Sequence, residues 1–202
     1  LDKEEYTRRY QRWIERHRVT DEARARMREE IAAWKEPPLI SIVMPVYNEA
    51  RTVARTVAAI QRAYRVGPAY EIVAVDDGST DTTRSVLEDF ARQGALSLLV
   101  HEKNRGKGAA VRTGVAAARG LWVVVQDADA EYDPREHPML VRPVSEGRAD
   151  VVYGNRMHAG NPVGYRRYWL GNWLISWWCS LLFGHRVHDV ETGFKAFRRD
   201  LF

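Results

Sequence analysis

The sequence predicts an α/β fold, a mainly parallel sheet flanked by helices and preceded by a helical arm. Three observations point there. From Leu39 onward, short apolar runs alternate with segments of helical periodicity, the pattern of βαβ units. Polar clusters fall at the ends of those runs, where ligands of such sheets bind: Tyr47-Asn48-Glu49, Asp76-Asp77 and Asp127/Asp129. Residues 1–36 differ from the rest, dense in charge of both signs with no Gly or Pro before Pro37.

In the arm, Tyr6, Tyr10, Trp13, Ile14 and His17 recur at helical spacing; after Thr20, an N-cap residue, so do Ala23, Met27, Ile31 and Trp34. Two amphipathic helices closed by Pro37-Pro38 are expected, giving an arm over 1–38 and a main domain over 39–202. The arm reads either as packed on the main domain or as a linker or homo-oligomer contact. LISIVMPV (39–46) is a buried strand, and EARTVARTVAAIQRAY (49–64) a helix through Val53, Val57 and Ile60. EIVAVDD (71–77) is a second strand, TDTTRSVLEDFARQG (80–94) a helix and LSLLV (96–100) a third strand. GKGAAVRTGVAAARG (106–120) is a helix opened by glycine, LWVVVQDAD (121–129) a fourth strand and ADVVYG (149–154) a fifth.

The 202 residues are 45% apolar and 29% charged, a globular balance that excludes a disordered chain. With Cys179 alone, neither an internal disulfide nor a cysteine-built zinc site is available, and a reducing, cytosolic setting is expected. A net charge of +4 does not point to nucleic acid. No run of eighteen apolar residues and no signal peptide is visible. The opening on Leu1 suits an excised or processed segment, and the chain reads as C-terminally incomplete at Phe202, with a natural protein that extends further.

Asp76-Asp77-Gly78-Ser79-Thr80-Asp81 follows a strand and opens a helix. Ser79 or Thr80 can cap that helix, and Gly78 supplies a tight turn. A plain βα turn is one reading. Two adjacent carboxylates exceed what capping needs, so the other is a carboxylate acceptor for base or ribose. Asp127-Ala128-Asp129 ends the fourth strand. In extended backbone both carboxylates point to one side and repel unless a cation lies between them. Hard Mg²⁺ or Mn²⁺ suits such oxygens and bridges them to diphosphate, with Glu131 a further ligand; a solvated acidic turn is the alternative. Asn104-Arg105-Gly106-Lys107-Gly108 opens a helix whose N-terminus favours a phosphate, without the spacing of a Walker A loop.

Together these strings resemble family 2 glycosyltransferases of the GT-A fold: SIVMPVYNE (41–49), DDGSTD (76–81), NRGKGAAV (104–111), QDADAEYDP (126–134), YGNR (153–156) and DVETGFKAF (189–197). The last three look most like the branch that glycosylates polyprenyl phosphates, similar to dolichol-phosphate mannose synthase. The resemblance implies that Pro45, Tyr47, Glu49, Asp76, Asp77, Lys107 and Asp127 bind the nucleotide. It assigns Asp127 and Asp129, with Glu131, to Mg²⁺ or Mn²⁺, and Arg156 to phosphate at the reaction centre.

YRRYWLGNWLISWWCSLLF (165–183) holds four of the seven tryptophans behind Arg166 and Arg167. Such a segment suits a bilayer interface, an internal core helix or a dimer face. With the resemblance, the interface is favoured, and Arg156, Arg166, Arg167 and Lys195 become candidates to grip an acceptor phosphate. His158, His185 and His188 lack metal-ligand spacing, and no G-x-S-x-G elbow marks a hydrolase. The expected function is inverting, metal-dependent hexose transfer from a nucleotide diphosphate sugar, GDP-mannose or UDP-glucose, to a polyprenyl phosphate at the cytoplasmic face of a membrane. The alternatives are a sugar-hydroxyl acceptor, with Asp189 or Glu191 as base, and a non-catalytic nucleotide-sugar-binding module.

Overall fold

Strand β1 (Ile40–Val46) forms from ISIVMPV, an uncharged run buried along nearly its whole length. It is the centre of a sheet seen in a computed structural model that describes residues 40–65, 69–155, 166–184 and 188–202; the expected arm lies outside them. Beside β1 run β2 (Tyr70–Asp76) and β4 (Trp122–Val125), both parallel to it, with β3 (Ser97–Val100) parallel to β2. Strand β6 (Lys195–Arg198) is antiparallel to β4, and β5 (Val151–Tyr153) is antiparallel to β6. The order is β3-β2-β1-β4-β6-β5. The parallel half is as expected. Strand β6 was read only as a motif, because four residues with charged ends, KAFR, carry too little alternation to signal a strand.

Helices α1 (Val53–Ala63), α2 (Thr83–Arg92) and α3 (Lys107–Ala117) fall where the periodicity places them. Helix α4 (His137–Ser145), which follows a 3₁₀ turn at Pro134–Glu136, has no counterpart in the sequence reading. Pro143 in its interior hides it, since an interior proline removes a helix hydrogen bond. Helix α5 (Arg166–Phe183) is the Trp-rich segment.

Strand alternation divides the core in two. Ile42, Met44, Val46, Ile72, Ala74 and Val124 pack with Val57 and Ile60 of α1, Leu87 of α2 and Val144 of α4. Val43, Val73, Val123, Val125 and Phe197 turn the other way, with Val115 of α3. Burying each of the larger side chains among these stabilises the fold by about 1.5–3 kcal/mol. Helix α3 approaches β1 closely because residue 114 is glycine: a Cβ there would lie 2.4 Å from Val43 Cγ1. The polar loops all leave the carboxyl ends of the parallel strands. Because β6 runs the other way, its first residue, Lys195, lies opposite Val125 at that same edge.

Candidate active site

The loops after β1 and β2 are built into each other. Asn48, at φ 55°, donates its N–H to Ser79 Oγ at 3.0 Å, and its Oδ1 accepts the Thr80 N–H at 2.8 Å. The Glu49 N–H donates to Thr83 Oγ1 at 2.8 Å and the Ala50 N–H to Asp81 at 3.4 Å, so the second loop satisfies donors ahead of α1. The side chain that holds the start of α2 is Asp81, accepting the Thr83 N–H at 2.9 Å, rather than Ser79 or Thr80. Hydrogen bonds from Thr83 hold the Asp81 carboxyl below the usual carboxylate range.

The paired carboxylates that follow have separate tasks. Asp76 is fully buried, accepts the Ser79 N–H at 3.0 Å and pairs with Arg84 Nε at 2.8 Å; it does not line the cavity described below. Asp77 does line it, and also anchors the NRGKG loop. Its Oδ1 meets His101 Nδ1 at 2.6 Å and accepts the Arg105 N–H at 3.0 Å, and its Oδ2 accepts the Gly106 N–H at 2.8 Å. Burial pushes the Asp77 carboxyl up, but His101 and the two N–H groups outweigh it and hold the carboxyl below its ordinary value. Gly78, at φ +73°, is required twice over: a Cβ would also strike the Lys103 carbonyl carbon at 2.5 Å.

A cavity of about 280 Å³ opens between these loops, lined by Pro45, Tyr47, Glu49, Asp77, Asn104, Lys107, Asp127 and Asp129 among others. Of the seven residues expected to bind nucleotide, all but Asp76 are there. Lys107 Nζ lies 2.6 Å and 2.8 Å from the two oxygens of Asp127, and Asp129 Oδ1 accepts the Glu131 N–H at 3.0 Å. Asp127 thus already holds a positive group inside the cavity. Two carboxylates with hard oxygen donors suit Mg²⁺ or Mn²⁺, which takes one or two such ligands and completes its shell with phosphate and water. Glu131 does not join them: it lines a neighbouring cavity, and no cluster of three metal-ligating side chains occurs among the described residues.

The wall behind Asp127 is not visible in the sequence. Gly193 passes so close that a Cβ would sit 2.2 Å from Asp127 Oδ2, and its N–H donates to Tyr132 Oη at 2.8 Å. The signal was the glycine in DVETGF, which only the fold explains. Asp189 of the same segment is buried and accepts from Asn172 Nδ2 at 2.7 Å, while Glu191 is exposed. Lys195 Nζ donates to the Thr192 carbonyl and lies 5.3 Å from the centroid of the Tyr153 ring. Arg166 and Arg167 are the first two residues of α5; Arg156, His158 and His185 fall outside the described residues.

Helix α5 is amphipathic in reverse. Its buried side is polar: Asn172 reaches Asp189, and Ser176 Oγ accepts the Val190 N–H at 3.1 Å. Its open side is apolar, with Trp173, Leu174, Ile175, Trp177, Trp178, Leu181 and Leu182 exposed, Trp178 by 55%. Among the described residues, this helix is not an internal core helix. No helix among the described residues is long and apolar enough to cross a membrane.

Parallel strands with an antiparallel β6 inserted beside β4, and a carboxylate pair at the tip of β4, define a GT-A domain. Its likeness to glucosyl-3-phosphoglycerate synthase from Mycobacterium tuberculosis in complex with UDP has a TM-score of 0.62 at 25% identity, covering 88% of this chain and 61% of that one. The same enzyme in complex with Mn²⁺, UDP and glucosyl-3-phosphoglycerate matches at 24% identity and a TM-score of 0.60, with the same coverage. Residues 41–202 match Glycosyl transferase family 2, and the chain belongs to that family. It is 29% identical over 167 residues to dodecaprenyl-phosphate galacturonate synthase of Rhizobium johnstonii, covering 80% of this chain and 48% of that protein. It is 34% identical over 166 residues to undecaprenyl-phosphate 4-deoxy-4-formamido-L-arabinose transferase of Pseudomonas paraeruginosa, covering 81% and 48%. The chain spans about half the length of these curated relatives.

Proposed function

We propose that this domain transfers a hexose from a nucleotide diphosphate sugar, GDP-mannose or UDP-glucose, to a polyprenyl phosphate at the cytoplasmic face of a membrane, with inversion. The observation that carries the reading is the coupling of α5 to the carboxylate site. The apolar side of the helix faces outward, its polar side is fastened to Asp189 and Val190, and three residues further on Gly193 touches Asp127. A helix with that outward face suits the headgroup level of a bilayer, where tryptophan rings settle. The two curated relatives are named for polyprenyl-phosphate acceptors, which supports the same acceptor class here.

Asp127 and Asp129 would hold Mg²⁺ or Mn²⁺, which supplies positive charge for the leaving diphosphate. Tyr47, half exposed at the cavity mouth, offers a ring face to the base. Asp77 Oδ2 accepts one N–H and keeps acceptor capacity for a base or ribose donor. Lys107, exposed at the helix N-terminus, is placed to meet phosphate. The acceptor's phosphate oxygen attacks the anomeric carbon from the face opposite the diphosphate. The new C–O bond forms as the bond to the nucleotide diphosphate breaks, and one displacement inverts the centre. A phosphate monoester has a second pKa of about 6 and is largely dianionic at neutral pH, so no strong base is required. Of the two candidate bases for a hydroxyl acceptor, Asp189 is buried against Asn172 and Glu191 is exposed. Arg156, Arg166, Arg167 and Lys195 are the candidates to hold the acceptor phosphate.

The test supplies the purified chain with Mn²⁺, labelled UDP-glucose or GDP-mannose, and either polyprenyl phosphate in vesicles or soluble sugar acceptors. A lipid-linked sugar of inverted configuration is expected. Transfer to sugar hydroxyls alone overturns the acceptor, and donor binding without any turnover makes the chain a binding module.

A further inference from the structure

We propose that Tyr64, His137 and Gln126 form a one-way hydrogen-bond relay that sets the position of the loop carrying Asp127 and Asp129, with His137 and Gln126 as positioning residues. The proposal rests on the carboxylate pair being the cation and diphosphate site. Gln126 is fully buried at the tip of β4. Its Nε2 donates to the Asp127 carbonyl at 3.0 Å and to the Tyr132 carbonyl at 3.3 Å, so one amide clasps both ends of the loop. Within the clasp, Ala130 takes φ 62°, a left-handed conformation that a residue with a Cβ keeps only when its surroundings impose it. The carbonyl between the two carboxylates, that of Ala128, is held by Thr56 Oγ1 at 3.0 Å.

The direction of the relay follows from the donor inventory. Two carbonyls accept from Gln126 Nε2, so Oε1 faces His137 Nε2, 2.8 Å away, and that nitrogen must carry the proton. His137 Nδ1 is then an acceptor, and Tyr64 Oη, 3.0 Å away, donates to it. Burial lowers the His137 pKa to about 4 and pushes the Tyr64 hydroxyl up, so both stay neutral at neutral pH and the direction holds. Tyr64 closes α1, Gln126 follows β4 and His137 opens α4, so three elements meet on this loop. None of the three side chains lines the cavity; they act through Asp127 and Asp129, and through Tyr132, which also fixes Gly193.

The experiment compares the 202-residue chain with its His137→Leu, His137→Gln and Tyr64→Phe variants. Mn²⁺ affinity is measured with the metal alone by paramagnetic resonance, and amide exchange over 127–132 in metal-free protein. His137→Leu removes the donor to Gln126 and is expected to weaken Mn²⁺ binding about 10- to 100-fold, as loss of a group that orients metal ligands does, and to speed exchange in the loop. His137→Gln can accept from Tyr64 and donate to Gln126, and is expected to recover most of the affinity. Folded His137→Leu with wild-type Mn²⁺ affinity and wild-type loop exchange overturns the relay. If His137→Leu does not fold, Tyr64→Phe, which loses one hydroxyl, decides: unchanged loop exchange there overturns it. Wild-type protein that ignores Mn²⁺ while His137→Leu still speeds loop exchange leaves the relay standing and removes the metal site instead.

Discussion

Gly193 and Asp77 show how single residues hold the site. A methyl group at 193 meets Asp127 Oδ2 at 2.2 Å, so Gly193→Ala must displace the carboxylate. Turnover is expected to fall at least about tenfold, which corresponds to only about 1.4 kcal/mol of transition-state stabilisation, and the melting temperature to fall as well, because the same methyl group would lie 2.8 Å from the Tyr132 ring; steady-state kinetics beside thermal unfolding checks both. Asp77 makes a pH-dependent contribution. Its carboxyl is held below its ordinary value in the folded state, so the stability it adds is present above the unfolded pKa of about 3.9 and is lost as pH falls through the folded value. Asp77→Asn is expected to destabilise the protein at pH 7 by about 1–3 kcal/mol and to flatten the decline toward pH 3, read from urea unfolding across that range. The cavity's residue types were legible because they end strands: Tyr47, Asp77, Asp127 and Asp129 were all expected there. The divided labour was not. Nothing in Asp76-Asp77 distinguishes the carboxylate locked to Arg84 from the one beside the cavity. Lys107 and Asp127 stand twenty residues apart in sequence and meet only through the sheet.

Among the elements, apolar runs and helical periodicity make most of the sheet and helices legible, the short β3 and β5 included. Strands β1, β2 and β4 announce themselves as apolar runs because both faces of a central parallel strand are covered. Strand β6 and helix α4 escape, one because charged residues stand at both ends of KAFR and the other because of Pro143. Helix α5 was legible as Trp-rich, but its reversal depended on knowing that Asn172 and Ser176 face Asp189 and Val190. Trp177→Ser with Trp178→Ser is expected to reduce binding to anionic vesicles at least about tenfold, since two large rings leave the interface, while nucleotide affinity stays unchanged; vesicle sedimentation beside calorimetry separates the two. Asn172→Ala removes one buried donor to Asp189 and is expected to cost about 1–3 kcal/mol in urea unfolding, with lower transfer activity because the DVETG segment loses one of its two attachments to α5.

On the scale of the whole molecule, one sheet edge collects the chemistry. Four parallel strands deliver YNE, DDGSTD, NRGKG and DAD to that edge, and the antiparallel β6 returns the DVETG segment and Lys195 to it. Helix α5 is fastened to the same segment by its polar side and turns its apolar side outward, so on the proposed function a lipid surface and an anionic donor are addressed from one wall. The most direct test of this arrangement is a calorimetric titration of UDP and GDP into the chain and its Asp129→Ala variant, each with and without Mn²⁺. One nucleotide is expected to bind at least about tenfold more tightly with Mn²⁺, and that gain to vanish in Asp129→Ala. Equal affinity with and without the cation in the wild-type chain would contradict it.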